Sequence, residues 1–224
     1  MADAVTGSDA PHQVSALTDD DAAPAGVRAA LVVWRRAGGS VRLVLPVAGD
    51  VRGLPGPPAF RTAALEEGEA VVGPGLGVVP EVTEYHPSSA PPTVIWQAFA
   101  VEPAPADHIA VADAQYELTT AIRESASALS AADVAGRIDD IADDLHDARR
   151  AGERLNLPPG FPARAVALVA QAERLQAVLD LAFSDPIGGA IDRTGIAARN
   201  SALRPLATAV RRARLAGYNA EARD

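Results

Sequence analysis

Proline divides this chain. Thirteen of its eighteen prolines and both tryptophans precede residue 106, whereas Ala106 to Leu157 contains no proline at all. Proline has no backbone N–H and clashes with the preceding helical turn, so helix interiors exclude it while turns and strand edges accept it. The front is therefore expected to hold strands and the rear helices. The expected fold class is α+β: a small, mostly antiparallel N-terminal sheet with one short helix, followed by an up-down bundle. The bundle has four helices, or three long ones if its first two are continuous.

The chain is long enough, at 224 residues, to bury a core without covalent staples, and it contains no cysteine. Disulfides, thiolate metal sites and cysteine nucleophiles are thereby excluded, and a reducing, cytoplasmic compartment is expected. Residues 1–24 show no basic stretch followed by an apolar one, and no segment approaches the roughly 20 apolar residues of a membrane helix, so no leader and no membrane partner are expected. All twenty basic residues are arginine, and the net charge is −9. That balance argues against nonspecific nucleic-acid binding, because a phosphate backbone attracts a net basic face. The charge is unevenly spread: residues 102–150 carry eleven acids against four arginines, and residues 193–224 carry seven arginines against two acids.

Residues 1–25 are small, polar and acidic, with Asp19, Asp20 and Asp21 in a row, and are expected to be disordered because ordering them buries little. Residues 26–101 form the strand-rich subdomain. Val27 to Trp34 is a run of Val, Leu and Ala, interrupted by Arg28, that meets Arg35-Arg36-Ala37-Gly38-Gly39, after which Val41, Leu43 and Leu45 alternate with Ser40 and Arg42. Two strands around a glycine turn are expected. Pro46 to Pro58 contains four prolines and three glycines and reads as a loop of unusual length. A short helix follows, opened by Pro57 and Pro58 and closed by a left-handed Gly68. Val71-Val72 and Val78-Val79 flank Gly73-Pro74-Gly75 as a hairpin with a type II turn. Thr93 to Val101, apolar on both faces, reads as a covered central strand.

Residues 102–110 are the expected linker, and 111–224 the bundle, where the apolar period becomes helical. Four stripes are visible: Leu118, Ile122, Ser125 and Leu129; Val134, Ile138, Ile141, Leu145 and Ala148; Leu168, Ala172, Leu175, Leu179 and Ala182; Ile196, Leu203, Leu206, Val210, Ala213 and Gly217. Pro205 falls inside the last and either kinks that helix or starts it.

Two constellations could carry chemistry. In the 46–58 loop Arg52 is flanked by Gly49, Gly53 and Gly56, and the next helix turns its free N–H groups toward the loop, so Arg52, Gly53 and Gly56 could receive a small anion or nucleotide. The competing reading is a plain connection in which Arg52 pairs with Asp50 or a glutamate. On the second helical stripe, Asp140 and Asp144, with Asp143, lie one turn apart and could hold magnesium through hard oxygen ligands. Asp139 to Asp144 resembles the aspartate-rich motif of isoprenoid synthases over six residues. Those enzymes need a second such motif, which this chain lacks, and the acids otherwise read as the solvated face of an amphipathic helix. The four histidines have no metal-ligand spacing, and no serine stands in a nucleophile-elbow context. With no cofactor signature, the favoured expectation is a non-enzymatic module that binds a protein partner or a second copy of itself.

Overall fold

The computed structural model describes residues 12–14, 25–83, 93–131, 157–184 and 193–221. They divide into two units, Met1–Asp107 and His108–Asp224.

In the first unit the elements run β1 (His12–Val14), α1 (Ala25–Ala37), β2 (Arg42–Val44), α2 (Pro58–Glu67), β3 (Ala70–Gly73), β4 (Leu76–Thr83) and β5 (Thr93–Ala100). All strand pairs are antiparallel, in the order β1-β5-β4-β3-β2. β3 and β4 form the expected hairpin around Pro74-Gly75, and Gly75 takes the positive φ, 71°, that the second turn position requires. β5 lies between β1 and β4, and its sequence is apolar on both faces because Phe99 packs toward α2 while Trp96 and Ala98 pack toward α1.

Strand alternation divides the apolar residues between two layers. Val72, Val79 and Phe99 meet Phe60 and Ala64 of α2 on one face. Val71, Val78, Trp96 and Ala98 meet Ala30 and Trp34 of α1 on the other. Each helix thus buries a narrow stripe against its own side of the sheet. Gly68 ends α2 with φ 74°, as its position predicted.

Two expectations for this unit are corrected. Val27 to Trp34 is not a strand but most of α1, so the sheet carries two helices rather than one. The apolar residues around Arg28 hide the period: within the run only Ala30 and Trp34, one turn apart, are buried, with Val27 half-buried beside them. A run with one buried stripe and two exposed shoulders is helical, yet apolar identity alone does not mark which residues lie inward. In addition, His12–Val14, within the segment expected to be disordered, pairs with β5 as an edge strand.

The second unit contains α3 (Val111–Ala131), α4 (Ala163–Ser184) and α5 (Arg193–Tyr218). α5 packs against both α3 and α4 and runs antiparallel to each, because Arg212 meets Glu117 while Arg214 meets Glu173 and Gly217 faces Val169. The core joins Leu118 and Ala121 to Leu168, Ala172 and Leu179 and to Leu203, Leu206, Val210 and Ala213. These are the expected stripes of three of the four helices. The helix assigned to Val134–Ala148 lies outside the described residues. α5 passes through Pro205 without ending.

Ion pairs join α5 to both of its neighbours. Arg212 grips Glu117 with two bonds of 2.6 and 3.1 Å. Arg214 donates to Glu173 at 2.8 Å, and the Tyr218 hydroxyl donates to the same carboxylate at 3.0 Å.

Candidate functional site

The 46–58 loop is built into the first unit rather than hung from it. Leu54 and Pro55 are buried, and Leu54 joins the core under α2. Arg42, on the α2 side of the sheet, donates through Nη2 to the carbonyls of Gly53, at 3.3 Å, and Ala104, at 3.2 Å. Burial lowers the Arg42 pKa below the ordinary arginine value, since a desolvated cation is disfavoured. Arg61 of α2 donates from Nε to the Pro55 carbonyl at 3.2 Å. Two loop carbonyls, of Gly53 and Pro55, are thus held by arginines, and Arg42 ties the loop to Ala104. Gly53 takes φ 74°, and a Cβ there would stand 3.4 Å from the Asp107 nitrogen.

Between this loop and residues 104–107 lies an open cleft of about 380 Å³, lined by Arg52, Gly53, Leu54, Arg61 and Asp107 among others. Two of the residues expected at an anion site, Arg52 and Gly53, therefore share a concavity. Gly56 is not among its lining residues and instead forms a cis bond with Pro57. Arg52 is half-exposed and gives Asp50 a two-pronged contact, 2.8 Å at each prong, with Asp107 Oδ2 at 3.7 Å. Two carboxylates thus balance the arginine, as the plain-connection reading requires. Sequence reasoning missed Arg61 and Asp107. Arg61 follows the two helix-opening prolines by one turn, which is a usable signal; Asp107 arrives from the far end of the subdomain with no local cue.

Asp140, Asp143 and Asp144 lie outside the described residues. Among the described residues, no group of three or more His, Asp or Glu side chains could hold a metal ion, and no helix is long and apolar enough to cross a membrane.

A second surface stands on α1. With Ala30 and Trp34 turned to the sheet, steps of about 100° per residue place Val32 at the middle of the outward stripe, Arg28 and Arg36 one turn to either side, and Leu31 and Val33 on its shoulders. Leu31, Val32 and Val33 are 50%, 47% and 46% exposed. Arg28, Arg35 and Arg36 are exposed as well. Trp34 holds the helix in this orientation, because its indole Nε1 donates to the Leu76 carbonyl at 3.0 Å.

The fold defines an α+β protein of two units: an antiparallel sheet with one helix on each face, then a helical unit in which α5 packs antiparallel to α3 and to α4. The chain belongs to the Rv1486c-like family, matching the family's N-terminal domain over residues 1–109 and its C-terminal domain over residues 112–215. It is similar to the uncharacterized protein Rv1486c of Mycobacterium tuberculosis, at 30% identity over 85% of this chain and 73% of that protein. It is likewise similar to the uncharacterized protein ML1804 of Mycobacterium leprae, at 29% identity over 81% of this chain and 68% of that one. The uncharacterized protein MAV321 of Mycobacterium avium is 30% identical over 83% and 74%. No solved structure matches.

Proposed function

We infer that this protein is a non-enzymatic, cytoplasmic interaction module and that the outer face of α1 is its docking surface. One observation carries the reading: three consecutive aliphatic side chains, Leu31, Val32 and Val33, stand about half-exposed on a helix whose other stripe is already committed to the sheet. On the helix Val32 is the aliphatic of the outward stripe and Leu31 and Val33 flank it on either shoulder, so the three leave an apolar band around α1 that no described element of this unit covers. Selection of peptides from a displayed library tests this. Binders are expected to recognise the wild-type chain and to lose a Leu31→Ser, Val32→Ser, Val33→Ser variant whose melting temperature is retained. A selection that yields no binder sensitive to this variant overturns the reading.

One observation favours the alternative, a small-anion or nucleotide site at the loop. Arg61 brings a second guanidinium to the Arg52 cleft. Against it stand Asp50 and Asp107, which already balance Arg52. Thermal shift with phosphate and with magnesium nucleotide separates the two readings. The module reading expects melting insensitive to either ligand, while the anion reading expects a rise that is lost in Arg52→Ala and Arg61→Ala.

A further inference from the structure

We propose that the partner docked on α1 is a protein segment with an apolar centre flanked by acidic side chains about two helical turns apart. This rests on the docking reading above and adds the chemistry of the partner. α1 contains no acid, yet it holds Arg28, Arg35 and Arg36, three of the six arginines in residues 1–107. Arg28 and Arg36 lie on the same outward stripe as Val32, about 12 Å apart along the helix axis. Any occupant that covers Val32 must therefore place something opposite both guanidiniums.

A second copy fits poorly. Antiparallel pairing of two α1 helices about Val32 sets Arg28 of one against Arg36 of the other at both ends, and parallel pairing sets each arginine against itself. Like charges in register oppose either arrangement. Glutamate or aspartate at those places satisfies the fork of each arginine, while an aliphatic centre covers Val32 and the near edges of Leu31 and Val33. The chain's overall negative charge does not cancel this preference, since contact charges act within about 8–10 Å at physiological salt while more distant ones are screened. The apolar contact supplies affinity and the arginine pair chooses the partner.

Two synthetic helical peptides with the same leucine centre, one flanked by glutamates two turns apart and the other by lysines, are titrated against the full chain by fluorescence anisotropy. The glutamate peptide is expected to bind at least about tenfold tighter, with the gap narrowing as salt is raised. Arg28→Gln with Arg36→Gln is expected to abolish the preference, and Val32→Ser to weaken both peptides. Equal binding of the two peptides, lost in Val32→Ser, overturns the acidic partner but leaves the docking surface standing. Absence of binding by either peptide overturns the proposal, and the library selection then decides the docking surface by itself. Sedimentation of the chain with phosphatidylglycerol vesicles, dependent on Val32, overturns it in favour of a lipid surface. A concentration-dependent dimer abolished by Val32→Glu overturns it in favour of a second copy.

Discussion

Gly73 and Gly77 lie on opposite faces of the sheet, each beneath an aromatic ring from the helix on that side. A Cβ on Gly73 would overlap the Trp34 indole, and one on Gly77 would come within 2.7 Å of the Phe60 ring. Neither glycine needs a positive φ; each is required by close approach. Gly73→Ala is expected to destabilise the first unit by about 1–3 kcal/mol, as overpacking does, read as a lower melting temperature. Trp34→Phe keeps most of the apolar area and deletes the bond to Leu76. It is expected to cost about 1–3 kcal/mol in urea denaturation, because the Leu76 carbonyl is left without its donor. In the second unit Gly217 admits the Val169 side chain, which a Cβ would displace. These roles were illegible in the sequence. Gly73 read there as a turn residue, and Gly217 as one more member of an apolar stripe.

Among the elements, those with a local cause were legible. The β3–β4 hairpin follows from Pro74-Gly75, α2 from its two opening prolines and Gly68, and α4 and α5 from their apolar period. α1 was misread because Leu31, Val32 and Val33 break the pattern that would have revealed it, and the same residues make its outer face the docking candidate. A surface held for a partner and a clean amphipathic signal compete for the same positions. The loop site was partly legible: Arg52, Gly53 and the Asp50 partner of the plain reading were found, but the approach of Asp107 to the arginine depends on how the chain returns at residues 104–107. Arg42, the residue that joins loop and return, read only as a polar position between strand residues. Arg42→Met is expected to lower stability by about 1–2 kcal/mol in chemical denaturation, since two partly buried carbonyls lose a charged donor. Arg52→Ala is expected to cost no more than about 1 kcal/mol, because its ion pairs are largely exposed.

Over the whole molecule, each unit owns its core. α2 and α1 sandwich the sheet in the first, and α5 joins α3 and α4 in the second, so residues 1–107 and 108–224 expressed apart are expected each to give a cooperative melt by circular dichroism. A second unit that unfolds without a transition would show that its helices need the first. Stability is not uniform within the second unit, and α5 concentrates the difference. Pro205 has no N–H to offer the Ser201 carbonyl, and the nearby Ser125 hydroxyl and Asn200 Oδ1 are buried without a partner. Beyond the proline, Arg212, Arg214 and Tyr218 lash the helix to both neighbours. In deuterium exchange followed by mass spectrometry, amides of residues 197–204 are therefore expected to take up label well before those of residues 207–217. A continuous rod by its contour, α5 would come apart as two, the missing rung at Pro205 marking where one half lets go while the other holds.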